Sequence, residues 1–167
     1  MKSEKILIIG GTGMLTPLCN AIAPHNLILA ARFKSNLNFV NKVDDATRMI
    51  PLDYMNNESQ KSFFREIDSF TDIAACVLWV HSKGHSFSQS LINYFARRQD
   101  SPKIIHVFGS AANRSSISDF SIPLSILFDT VALGSVRDGL STRWMNHLEI
   151  SEMVADSLRD IIPINVN

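Results

Sequence analysis

The sequence predicts a doubly wound α/β domain with a mostly parallel sheet, and three observations carry that expectation. Short apolar runs at Ile6–Ile9, Leu27–Ala31 and Ile73–Val80 have no polar alternation, as in strands buried on both faces. Segments of helical composition separate them, so strands and helices alternate along the chain. Glycine-rich or polar residues follow the runs, where a ligand crevice opens at strand C-termini.

The first unit is Lys5-Ile6-Leu7-Ile8-Ile9-Gly10-Gly11-Thr12-Gly13-Met14-Leu15-Thr16. It reads as strand, glycine turn and helix, the context in which a glycine-rich loop cradles a phosphate. A third glycine would fall at position 16, where Thr16 stands, so the helix is expected slightly further from the sheet. Pro17 in the first helical turn breaks no intrahelical bond. Gly10, Gly11, Thr12, Gly13, Met14 and Leu15 are therefore the candidate pyrophosphate contacts.

The second run ends in Arg32-Phe33-Lys34, about twenty residues past the first glycine. An acid here would meet a free ribose 2′-hydroxyl, and a basic residue a 2′-phosphate. Arg32 and Lys34 thus point to NADP ahead of NAD. Asn36 to Lys42 is expected as a short helix. Met49–Leu52 is a third strand, which Pro51 places near an edge. It ends at Asp53-Tyr54, and Asn56 or Asn57 is positioned to cap a helix carrying Phe63, Phe64, Ile67 and Phe70.

The longest run, Ile73–Val80, reads as a central strand that ends in His81-Ser82-Lys83-Gly84-His85. Ser86 and Gln89 have capping-box spacing before a helix with Leu91, Ile92, Tyr94 and Phe95. Lys103–Phe108 is the fifth strand, followed by Gly109-Ser110. Right-handed crossovers give the order 3-2-1-4-5. Leu127–Val136 has β character and supplies a sixth strand, with a turn at Arg137-Asp138-Gly139. Asn146 and Glu149 have capping-box spacing, and His147–Arg159 is expected as the last helix. Its apolar face is expected to be Ile150, Met153, Val154 and Leu158.

At 167 residues the chain is expected to form one Rossmann-type domain. Hydrophobic residues are 46% and charged residues 19%, an ordinary globular composition. A net charge of zero gives no electrostatic reason to expect nucleic acid or an anionic membrane. Gly10–Gly13 interrupts the N-terminal apolar run after four residues, too early for a signal peptide, so a cytoplasmic protein is expected. Cys19 and Cys76 read as reduced core thiols. His81, His85 and His106 fit no usual zinc spacing, and no metal is expected. Gly-Lys-Ser/Thr and Gly-x-Ser-x-Gly are absent, which excludes a triphosphatase loop and disfavours a hydrolase elbow.

On these residues the chain resembles the short-chain dehydrogenase/reductase family over residues 5 to about 112. It is most similar to short bacterial members that keep the Rossmann core and little else. Ile8–Met14 is similar to the family's glycine motif, and Ala30-Ala31-Arg32 to an NADP-type second strand. The resemblance implies that Asp53 contacts adenine, that Ser82-Lys83-Gly84 replaces Asn-Ala-Gly, and that Ser110 stands at the catalytic serine. One departure bears on mechanism. The family transfers a proton with the tyrosine of Tyr-x-x-x-Lys, and no such motif exists here. Tyr54 and Tyr94 both precede Ser110, and Ser121–Leu127 runs where the motif should follow. The sequence therefore carries two readings. One is an NADP(H)-dependent oxidoreductase with another proton donor, to be sought at His81, Lys83 or His85. The other is a non-catalytic NADP(H)-binding sensor or regulatory protein. The small-molecule substrate is unspecified, and a homo-oligomer stays open.

Overall fold

The computed structural model describes residues 4–10, 12–32, 46–109 and 119–167. The expectations for Gly11, Lys34, Ser110 and the helix at Asn36–Lys42 fall outside those residues.

Six strands form one parallel sheet: β1 (Lys5–Ile9), β2 (Leu27–Ala31), β3 (Arg48–Pro51), β4 (Ile73–Leu78), β5 (Lys103–Gly109) and β6 (Phe128–Leu133). Their order is β3-β2-β1-β4-β5-β6, which makes this a Rossmann-type α/β domain. Leu7 pairs with Ile28 on one side and with Cys76 on the other, so β1 is buried between two neighbours. Pro51 sits on β3, the edge strand, where a missing N–H breaks the fewest ladder bonds.

Alternation within each strand feeds two cores. Ile6, Ile8, Ala75, Val77, Ile105 and Val107 face helix α1 (Thr16–Ala21) and the last helix, α4 (His147–Asp156). Leu7, Ile9, Cys76, Leu78 and Ile104 face α2 (Asn57–Ile67) and α3 (His85–Ala96), which bury Phe63, Ile67, Phe87, Leu91, Ile92 and Phe95. Cys19 and Cys76 are buried free thiols, and burial pushes the Cys19 thiol up to about 12. No helix among the described residues is long and apolar enough to cross a membrane.

Asn56, not Asn57, caps α2: its side chain accepts from the Ser59 N–H at 2.9 Å. The expected capping box at α3 does not form. That helix starts two residues earlier, at His85 behind Gly84. The Gln89 side chain instead clamps the Ser121 backbone, with both hydrogen bonds at 2.9 Å.

The C-terminal part differs most from expectation. The β segment divides into β6 and a separate antiparallel hairpin, β7 (Ser135–Asp138) and β8 (Ser141–Trp144). Its loop is Gly139-Leu140, so the turn lies further along than Arg137. Gly139 has φ +63°, as a two-residue hairpin loop with glycine first requires. Arg143 ties the hairpin to α4 by two bonds to Glu149, at 2.6 and 2.9 Å. That guanidinium holds the Glu149 carboxyl down at about 2. Helix α4 carries the expected capping box of Asn146 and Glu149 but ends at Asp156, short of Arg159. On its inner face Ser151 is buried, whereas Met153 is 37% exposed.

Candidate functional site: the crevice at the ends of β1, β2 and β4

Strand β1 runs straight into the glycine turn. Gly10 is pinned between both neighbours: its N–H donates to the Ala30 carbonyl at 3.1 Å, and Trp79 N–H donates to Ile9 at 3.0 Å. Its φ is +81°, and a Cβ there would stand 2.3 Å from the Trp79 carbonyl oxygen. Glycine is obligatory at this position on both counts. Gly13 differs, because a Cβ there meets nothing within 4 Å. That open space is where a ligand can approach the backbone.

Thr16, at the place of the third glycine, turns back on the loop. Its hydroxyl donates to the Gly13 carbonyl at 2.7 Å, and its N–H donates to the same oxygen at 3.1 Å. Among the described residues, the backbone N–H groups of Met14 and Leu15 donate to no partner. Successive unpaired N–H groups in a turn form an anion-binding concavity.

A cavity of about 180 Å³ opens beside this turn. Its wall is Ile9, Gly10, Thr12, Ala30, Ala31, Arg32, Leu52, Tyr54, Trp79 and His81. The volume is below the roughly 300–1,000 Å³ of drug-sized pockets, so it suits one end of an extended ligand. Gly10, Thr12, Arg32, Tyr54 and His81 come together here from four separate stretches of chain. Arg32 is exposed at the rim. The Tyr54 ring stacks on Phe87, with centroids 6.1 Å apart and planes at 22°.

Other expected contacts lie off this wall. The Leu15 side chain is wholly buried and the Met14 side chain packs on the same core, so both offer only backbone to the crevice. Asp53 is occupied at the start of α2. Its N–H donates to Ser59 Oγ at 2.8 Å, and its Oδ1 accepts from the Met55 N–H at 3.0 Å. Ser82 is exposed in the short 3₁₀ turn Ser82–Gly84. Sequence reasoning did not mark Trp79 or Leu52. Trp79 had a signal: alternation from Val77 puts it on the α1 face at the open end of β4.

Tyr54 is on the cavity wall with Gly10 and Thr12. Tyr94 lies against α2, donating to Asp68 at 2.9 Å and accepting from Arg98 at 3.2 Å. Burial and the Asp68 hydrogen bond raise its pKa. Of the three candidate proton donors, His81 is on the cavity wall, Lys83 is exposed, and His85 stacks on Phe120 with centroids 4.2 Å apart. His106 is buried on the α3 side of the sheet among Phe108, Phe120 and Phe128.

The parallel sheet in the order β3-β2-β1-β4-β5-β6 defines the class of fold, and known structures share that fold. A protein named as a short-chain oxidoreductase from Thermus thermophilus superposes with TM-score 0.66 at 17% identity, covering 96% of this chain and 97% of that one. The bulky-bulky ketone specific alcohol dehydrogenase from Comamonas testosteroni gives TM-score 0.62 at 13% identity, covering 95% and 82%. A protein from Lactobacillus casei gives 0.59 at 11%, covering 96% and 95%. No protein-family model matches the sequence, and no curated protein matches it. The chain therefore has the fold of short-chain oxidoreductases, over nearly its whole length.

Proposed function

We propose that residues 1–167 form a single NADP(H)-binding domain of short-chain dehydrogenase/reductase type, an oxidoreductase whose proton donor is not the family's tyrosine. One observation carries the reading. Gly10 and Thr12 of the glycine turn line the same cavity as Arg32 at the end of β2. The glycine turn from Gly10 to Leu15, Gly11 included, would hold the pyrophosphate. Arg32 and Lys34 would take the 2′-phosphate. Asp53, Tyr54, His81 and Ser82 would flank the adenosine and ribose. When bound, the nicotinamide supplies or accepts the hydride. The chain binds and orients it, and Ser110 would polarise a carbonyl oxygen. His81, the donor candidate on the cavity wall, is the first to test by substitution.

The absence of Tyr-x-x-x-Lys from the sequence favours a second reading, a non-catalytic NADP(H)-binding sensor or regulatory protein. Two measurements separate the readings. Titration with NADPH, followed by tryptophan fluorescence, tests binding. NADPH oxidation in the presence of ketones tests turnover, a class suggested by the Comamonas dehydrogenase's named substrates. Binding with turnover supports the oxidoreductase, binding without turnover the sensor, and no binding removes both.

A further inference from the structure

The first turn of α1 is completed from a distant part of the chain. Its N-cap is Leu15, which has no side-chain acceptor, and Pro17 removes one donor. The Leu18 N–H points instead at Ser151 Oγ, 133 residues away, at 3.2 Å. The Ser151 hydroxyl in turn donates to the Met14 carbonyl at 3.4 Å. A regular α-helix would carry the Leu18 N–H straight to that carbonyl, four residues back. Ser151 stands in the gap and relays the bond.

The surroundings make Ser151 a fixed point. It is wholly buried on a face of α4 that is otherwise apolar, between Ile150, Val154 and Ala155. The start of α4 is set one turn earlier by the Asn146–Glu149 capping box and by Arg143. Helix α4 packs on α1, so the hydroxyl has little room to move.

Peptide planarity turns this contact into a statement about the glycine turn. In a trans peptide the carbonyl and the next N–H point in opposite directions. Thr16 holds the Gly13 carbonyl, which aims the Met14 N–H the other way. Ser151 holds the Met14 carbonyl towards α4, which aims the Leu15 N–H away from α4. We infer that Ser151 is a positioning residue for the pyrophosphate, orienting the Met14–Leu15 peptide from α4, 133 residues along the chain from Leu18; this rests on the dinucleotide reading above.

The test compares two probes on wild type, Ser151→Ala and Ser151→Thr. NADPH spans the turn, whereas adenosine 2′-monophosphate reaches only the Arg32 end. In Ser151→Ala the relay is lost and Leu18 closes onto Met14. NADPH should bind about 10-fold more weakly, the loss expected for one misdirected hydrogen bond. Adenosine 2′-monophosphate should bind as before, and Ser151→Thr, which keeps the hydroxyl, should restore NADPH. Should either variant not fold, Ser151→Cys takes its place, and its weak thiol donor should also lower NADPH affinity alone. Unchanged NADPH affinity in a folded Ser151→Ala or Ser151→Cys overturns the inference, as do equal losses for both probes. Wild type binding neither probe defeats the dinucleotide reading and this inference with it. Wild type binding both, with no selective loss in the variants, defeats this inference alone.

Discussion

Gly84 lies directly under the Tyr54 ring: a Cβ on Gly84 would stand 2.7 Å from Tyr54 Cδ2 and 2.4 Å from Val80 Cγ1. Tyr54 cannot retreat freely, because Phe87 stacks behind it. Gly84→Ala should therefore overpack the α3 side by about 1–3 kcal/mol. At about 2–4 °C per kcal/mol, the melting temperature should drop measurably. An unchanged melting temperature would show that the ring shifts without cost and that Tyr54 is not rigidly set.

The glycines of the turn separate by role. Gly10→Ala meets the Trp79 carbonyl and a φ of +81°, so it should lose stability, about 1–3 kcal/mol from the backbone conformation alone. Gly13→Val adds its side chain to open space. It should stay folded by circular dichroism yet lose NADPH binding by calorimetry. Full NADPH affinity in folded Gly13→Val would mean that the pyrophosphate does not cross this turn.

The sheet was legible because parallel strands buried on both faces appear as unbroken apolar runs, as at Ile6–Ile9 and Ile73–Leu78. The hairpin was not, because all of β8 and most of β7 are exposed and carry no apolar alternation. At the crevice, Gly10 and Arg32 could be placed by their distance from a strand end. Asp53 and Tyr54 could not be told apart that way. Which of them faces the cavity depends on Asp53 bonding into α2 and on the space above Gly84. Ser151 had no signal at all, since its partners lie at the other end of the chain.

Acid should destabilise the fold through His106. Burial, and secondarily His85, lower its pKa to about 4, and its Nδ1 has no partner among the described residues. The unfolded chain then takes up the proton first, near the ordinary value of about 6.5. The stability held by neutral His106 is full above that pH and falls as the pH drops towards 4, by up to about 3 kcal/mol. His106→Leu should flatten this slope in urea denaturation at pH 7, 5.5 and 4.5. The same slope in the variant would place the acid sensitivity elsewhere.

Cofactor choice should rest on Arg32. It lies at the end of β2, on the cavity wall and open to solvent. A guanidinium meets a phosphate with two parallel hydrogen bonds. Such a charge-assisted contact contributes about 1.5–3 kcal/mol, or roughly 10- to 100-fold in affinity. Exposure of Arg32 puts the expected preference for NADPH over NADH near the lower end, about 10-fold, and makes it weaken with added salt. Arg32→Asp should reverse the order, because a carboxylate repels the 2′-phosphate and accepts from a free 2′-hydroxyl. Fluorescence titration of both cofactors against both proteins, at low and high salt, measures all three effects. Equal affinity for NADPH and NADH in wild type would make Arg32 a surface charge and leave the cavity without a 2′-phosphate site.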